Sequence, residues 1–264
     1  MISEDFHVHS VFSDGQDTLR AIASAAYARG MTALGFSDHG YAPYDTDCCI
    51  RRDRIAAYRE AVSALREEYR GRMAIYCGIE QEYGSDEPTA GFDYVIGSAH
   101  YLFLDGECLN VDWKRETLLR ARELMGGDIY AVCEAYYCMA SDVVEKTKCD
   151  VIGHFDLIAK LNGDGSLFDE NHPRYVAAWQ EAAERLLAYH IPFEVNTGAI
   201  ARGHRTEAYP APPILRWLIE RDAKLILSSD AHKKENLMFD FSRQEDMVRA
   251  LGGRLLTHTE WLKH

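Results

Sequence analysis

The sequence predicts an α/β fold in a single domain, with parallel strands that alternate with helices and close into a barrel. Three observations predict it. Apolar runs alternate with amphipathic runs from end to end, giving six or seven strand-then-helix units, and strands separated by helices pair in parallel. The 264 residues, 47% of them hydrophobic, suit one barrel of about 250 residues. No stretch rich in Pro, Gly or Ser divides the chain, and no repeat is present.

Residues 5–9 (DFHVH) read as a short strand. Residues 18–29 have helical spacing, with Asp17 or Thr18 as N-cap and Gly30 as the stop. Residues 32–37 form a buried strand. Residues 51–70 form a long helix with Ile55, Tyr58, Val62, Leu65 and Tyr69 on one side. Strands follow at 73–79 and 93–99, then a hairpin over 101–111 around Asp105-Gly106. Helices are expected at 114–125 and 129–146, and a strand at 149–153. A helix over 173–189 places Pro173 in its first turn. A strand at 192–196, a helix at 213–221, a strand at 224–228, a helix at 242–251 and a short strand at 254–256 complete the chain.

Charge and composition exclude several classes. Lys plus Arg number 29 against 42 Asp plus Glu, a formal charge of −13, so a non-specific nucleic-acid binder with a basic face is disfavoured. An anionic substrate remains compatible, because metals or arginines can reverse the field in one cleft. No run approaches the roughly 18 apolar residues of a membrane span, and MISEDFHVHS lacks the pattern of a signal peptide. A cytoplasmic protein is expected. The seven cysteines, including the adjacent Cys48 and Cys49, form no C-x-x-C pair and read as reduced thiols. Neither G-x-x-x-x-G-K nor G-x-G-x-x-G occurs, so nucleotide-cradling loops have no support.

The chemistry-bearing residues sit at the ends of the expected strands. His7 and His9 end the first strand, His39 follows the second and Glu80 the third. His100 and His154 end later strands, and Asp230 and His232 follow the strand at 224–228. In a β/α barrel these ends share one face, where active sites are built. A lone histidine at such a position is most often structural. Six of the eleven histidines, joined by two carboxylates, read instead as a metal cluster suited to Zn, Mn or Fe. No cysteine joins the set, which argues against a structural thiolate zinc site. In His7-x-His9 both imidazoles share a strand face while Val8 points toward the helices. His172, His190, His258 and His264 lie outside the set and read as surface or core residues.

Arg202 and Arg205 lie in a loop after the strand ending at Asn196, on the same expected face, and Arg suits bidentate phosphate contact. Lys160 and His204 are further candidates for substrate binding. The alternative for each is a solvated loop residue. Asp38, Asp156 and Asn196 flank the candidate ligands and read as groups that orient them.

His7-Val8-His9-Ser10, Ser13-Asp14-Gly15 and Ser37-Asp38-His39-Gly40 resemble the opening motifs of the PHP (polymerase and histidinol phosphatase) superfamily. Gly78-Ile79-Glu80, Gly97-Ser98-Ala99-His100, Gly153-His154-Phe155-Asp156 and Ser229-Asp230-Ala231-His232 are similar to its later motifs, in order. The segment from Glu194 to Ile200, with Arg202-Gly203, Arg205-Thr206 and Tyr209-Pro210, resembles the stand-alone histidinol-phosphatase branch.

The resemblance implies a distorted (β/α)7 TIM-like barrel, the PHP fold, spanning 1–264, with three divalent transition-metal ions. The implied ligands are His7, His9, Glu80 and Asp230 for the first ion, and Glu80, His100 and His154 for the second. The third would take Asp14, His39 and His232. Glu80, Asp230 and His232 are the implied catalytic residues. The implied activity is hydrolysis of L-histidinol phosphate, a step of histidine biosynthesis, by hydroxide generated at the bridging metals. The implied partner is a small phosphomonoester, with neither nucleic acid nor membrane. Competing readings are a PHP-type nuclease or nucleotide phosphatase, and a non-catalytic metal-binding module. The sequence leaves oligomeric state open.

Overall fold

The computed structural model describes residues 2–262. Its main sheet holds β1 (Glu4–Asp5), β2 (Ala33–Phe36), β3 (Ala74–Glu82), β4 (Tyr94–Ser98), β7 (Val151–Ile152), β8 (Phe193–Asn196) and β9 (Leu225–Ser228), in that order and all parallel. The seam closes beyond β1 and β9: Val8 bridges Ala231 in parallel, His9 N donates to Ala231 O at 2.9 Å, and Ala231 N to His7 O at 3.1 Å. The seven-stranded barrel expected from the sequence is thus formed. Between β4 and β7 the expected hairpin, β5 (Tyr101–Leu104) with β6 (Glu107–Asn110), stands apart as an antiparallel pair over the mouth.

Period-two alternation sorts the strand residues into two layers. Leu34, Phe36, Ile75, Ile79, Val95 and Val195 pack outward with the helices, and Val8 joins them. Phe6, Tyr94, Ile96, Val151 and Ile226 pack together in a second cluster with Trp261. Tyr94 shows how tightly that interior fits. Its hydroxyl donates to Phe6 O at 2.7 Å and Phe36 O at 3.1 Å, and a Cβ at Gly78 would lie 2.2 Å from its ring. Truncating such a buried ring costs roughly 3–5 kcal/mol.

The helices α1 (Leu19–Ala28), α2 (Ile55–Glu68), α6 (Pro173–Leu187), α8 (Pro212–Ile219) and α9 (Phe241–Ala250) fall where the apolar spacing put them. Thr18 caps α1 by accepting from Ala21 N, and Pro173 begins α6. The expected helix over 114–125 is α3 (Arg115–Leu124). That over 129–146 divides into α4 (Ile129–Ala140) and α5 (Val143–Thr147), because Ser141 turns its hydroxyl back onto Cys138 O at 2.7 Å and Asp142 leaves helical geometry. Residues 254–256 form no strand; Leu255 makes a single bridge to Leu225. Short helices α7 (Gly198–Ala201) and α10 (His258–Trp261), and the 3₁₀ turn Leu157–Asn162, were not anticipated. Their length gives too few periodic positions to register. No helix among the described residues is long and apolar enough to cross a membrane.

Candidate metal centre

Parallel strands deliver their C-terminal ends to one face, and there the chain concentrates its buried polar side chains. His7, His9, Glu80, His154 and Asp230 are each 5% exposed or less. Four overlapping groups have donor atoms within 4.8 Å of one another: His9 with Asp14, His39 and His232; His7 with His9 and Asp230; His7 with Glu80 and His154; and His39 with Glu80 and His100. The structure therefore brings together all nine residues implied as ligands.

Glu80 is the hub. Its Oε1 lies 2.9 Å from His154 Nε2 and 3.5 Å from His100 Nε2; its Oε2 lies 2.8 Å from His39 Nδ1, 3.2 Å from His7 Nε2 and 3.5 Å from His9 Nε2. Asp230 Oδ1 is 3.3 Å from His9 Nε2 and 3.8 Å from His7 Nε2. Asp14 faces His232 Nε2 at 3.2 Å, His39 Nε2 at 3.7 Å and His9 Nδ1 at 3.9 Å. The donor sets are shared more widely than the sequence grouping: His9 reaches the Asp14 group, and His39 also faces Glu80.

Whether this cluster suits cations is decided by its unspent atoms. His7 Nε2, both ring nitrogens of His9, Glu80 Oε2 and His154 Nδ1 are buried without a hydrogen-bond partner. Each such atom costs about 1–3 kcal/mol if left unsatisfied. Three of them converge, His7 Nε2 and His9 Nε2 lying 3.2 and 3.5 Å from Glu80 Oε2, and that convergence fits a divalent ion, whose charge supplies the missing partner.

The outer contacts aim the rings. His7 Nδ1 pairs with buried Glu194, leaving Nε2 toward Glu80 and Asp230. Glu82 accepts from His100 N at 3.0 Å and lies 2.8 Å from its Nδ1, so Nε2 faces Glu80. A carboxylate behind a ring nitrogen fixes the ring and raises its basicity as a ligand. These two residues were the ones sequence reasoning missed. The signal was alternation: Glu82 is two past Glu80 on a strand that runs three residues beyond its expected end at Ile79, and Glu194 is two before Asn196.

The residues read as orienting groups divide. Asp38 accepts from Ser10 N at 2.8 Å and from the Ser13 hydroxyl at 2.6 Å, and so holds the loop that carries Asp14. Asn196 donates to Glu194 at 2.7 Å and steadies the partner of His7. Asp156 accepts from Ala211 N at 2.9 Å and anchors the next loop rather than a ligand.

The electrostatics record a search for positive charge. Burial favours neutral forms, yet Glu80 and Asp14 outweigh it at His39 and push that ring up to about 10. At His100, Glu80 and Glu82 likewise overcome burial and push it up to about 9. Burial is also overcome at His7, which Glu194, Glu80 and Asp230 hold well above its ordinary value. His9 goes the other way: burial, with His232 and His39 beside it, pushes it down to about 3. Glu80 resists burial through His39, His7 and His100, and Asp230 through Arg202 and His7, so both stay well below the ordinary carboxylate range.

The cluster floors a cleft of about 710 Å³, within the range of small-molecule sites. Arg202, Lys160 and His204 line it. Arg202 donates to Asp230 Oδ2 at 2.8 Å and to Asp230 O at 2.9 Å, over Gly198, where a Cβ would meet that ion pair at 2.7 and 2.8 Å. Lys160 pairs with Asp112 at 2.6 Å. Arg205 does not line the cleft: Glu170, at 3.2 Å, and Ala159 O hold it beneath the loop. A substrate contact was expected for it, but loop position alone does not fix which way a side chain turns.

Sequence and barrel have counterparts among known proteins. The model of the PHP domain matches residues 5–198, and the chain belongs to that family. A Deinococcus radiodurans protein named "Probable histidinol-phosphatase" is 29% identical, over 96% of this chain and 95% of its own. The histidinol-phosphatase of Bacillus subtilis is 26% identical, over 88% of this chain and 94% of its own. The histidinol phosphate phosphatase HisK of Lactococcus lactis, solved with Zn, L-histidinol and phosphate, superposes with a TM-score of 0.69 at 19% identity, covering 96% of this chain and 95% of that one. At that identity the likeness establishes the fold.

Proposed function

We propose that this chain is a metal-dependent phosphomonoesterase that hydrolyses L-histidinol phosphate to L-histidinol and phosphate, in histidine biosynthesis. The observation that carries the reading is the set of unpartnered His and Glu atoms converging at the barrel mouth beside Arg202. The names of the full-length relatives support the substrate.

His7, His9, Glu80 and Asp230 would hold a first divalent ion, Glu80, His100 and His154 a second, and Asp14, His39 and His232 a third, with Zn, Mn and Fe all suited to these donors. Such ions supply charge neutralisation of phosphoryl oxygens and activation of water near neutral pH. The chain's own residues do the rest. Arg202 offers a guanidinium already fixed by Asp230, so phosphate meets an oriented donor. Lys160 adds a second cation at the rim, held in place by Asp112. Asp230, held ionised by Arg202, fixes that guanidinium, and His232, whose Nδ1 contacts Arg202 and Asp230 O, is assigned the proton for the departing alkoxide. His204 lines the same rim, where burial and the nearby Lys160 and Arg202 lower its pKa and favour the neutral ring.

The test is metal analysis followed by phosphate release from a panel of L-histidinol phosphate, sugar phosphates, mononucleotides and short oligonucleotides. Preferred turnover of L-histidinol phosphate is expected. Cleavage of internal phosphodiesters, or no turnover with metals bound, would overturn the reading.

A further inference from the structure

The seam of the barrel is its thinnest join. β1 is two residues long, and β1 and β9 are hydrogen-bonded to β2 and β8 rather than to each other. At the mouth the backbone spans the gap between Val8 and Ala231. One level below, a side chain takes over. Asp5 is wholly buried and accepts from four donors on three segments. Its Oδ1 takes Ser229 N at 3.1 Å and, more loosely, His7 N at 3.4 Å; its Oδ2 takes the Ser229 hydroxyl and Met238 N, the latter at 3.1 Å. Ser229 is the first residue after β9, and Met238 lies in the loop that follows.

What this clasp holds is a strained turn. Asp230 has a φ of +50°, in the left-handed region that residues with a side chain enter at a cost. Such a conformation persists where the surroundings over-determine it. Both chain neighbours of Asp230 are tied across the seam, Ser229 to Asp5, and Ala231 to His7 O and His9 N. Held so, the carboxylate lies 3.3 Å from His9 Nε2 and 3.8 Å from His7 Nε2. Relaxing φ to the ordinary negative range would swing the Cα–Cβ bond and carry the carboxylate away from those rings. We propose that Asp5 is a positioning residue for the metal centre: by gripping Ser229 across the seam it keeps Asp230 left-handed and aimed at His7 and His9. Asp5 itself stands outside the four donor groups at the mouth. This role rests on the metal-centre reading and holds whichever ester is hydrolysed.

An amide cannot replace this carboxylate, because each oxygen receives a backbone N–H and the amino group of Asn would meet a donor at either position. The test is the Zn²⁺ affinity of the chelator-stripped chain, read by competition with a chromogenic chelator. Asp5→Asn is expected to weaken binding by about ten- to a hundredfold. Ser229→Ala deletes one of the four bonds, leaves the backbone ones, and should weaken it less. A double-substitution cycle separates positioning from support of the fold. On an Asp230→Ala background the group to be aimed is gone, so adding Asp5→Asn should change Zn²⁺ affinity no further. Urea unfolding of the metal-free chains checks that each variant is folded in the assay. Wild-type affinity in Asp5→Asn, or an equal loss with and without Asp230, would overturn the proposal. Should Asp5→Asn not fold, Ser229→Ala and its cycle with Asp230→Ala decide by the same criteria. A wild-type chain that binds no Zn²⁺ would instead overturn the metal-centre reading, so the two failures are distinguishable.

Discussion

At the bottom of the barrel His258 and Glu4 form a pair, Nδ1 to Oε2 at 2.7 Å, with the ring packed 5.7 Å from Phe6 and 5.5 Å from Tyr76. At the mouth His7 and Glu194 form another pair of the same kind, fully buried where the lower pair is partly exposed. The lower pair is complete: Glu4 takes the ring nitrogen with one oxygen and His258 N with the other, at 2.5 Å, and aromatic rings surround it. The upper pair is a beginning. His7 keeps a second nitrogen that faces Glu80 and Asp230 and has no hydrogen-bond partner. A His–Glu pair is therefore no signature of function in itself. What separates scaffold from site is the donor capacity left unspent after the pair has formed.

That comparison can be broken at several points. The largest effect is expected at Glu80, which both oxygens make common to five imidazoles. Glu80→Gln should empty at least two ion positions and cut kcat/KM by on the order of a thousandfold or more. Metal content and phosphate release measured on the same sample check it. Next comes Glu194→Gln, which removes the charge behind His7 without removing a ligand. Metal affinity should drop by about ten- to a hundredfold, as read by competition with a chelator. Arg202→Ala should raise KM for the phosphomonoester, with kcat/KM lower by about tenfold, while metal content holds; an unchanged kcat/KM would return Arg202 to the role of a rim residue. The smallest effect on function belongs to the lower pair. His258→Ala strands Glu4 and should cost about 1–3 kcal/mol in urea unfolding, with metal content and turnover per folded molecule as in wild type.

The convergence of eight of the implied ligands was legible because barrel geometry converts a strand end into an address: each histidine or acid at such an end meets the others whatever its distance in sequence, whereas Asp14 came only from the resemblance. The helices that pack on the barrel were legible from their apolar spacing. What was not legible depends on direction or on short range. Glu82 and Glu194 act from inside strands, where a carboxylate reads first as a buried oddity, and only the partner ring reveals its purpose. Arg205 sits three residues from Arg202 and was read alike, yet Glu170, thirty-five positions earlier, turns it away. The break after α4 hinges on one hydroxyl at Ser141. His264 lies outside the described residues.

The account turns on cations taking up the unspent donors at the mouth, and metal stoichiometry tests this most directly. Chain stripped with a chelator, reloaded separately with Zn, Mn or Fe and desalted should retain up to three ions per chain, with His9→Ala and Glu80→Gln each retaining fewer. Retention of less than one ion per chain by the wild type under all three loadings, with phosphate release intact, would contradict it.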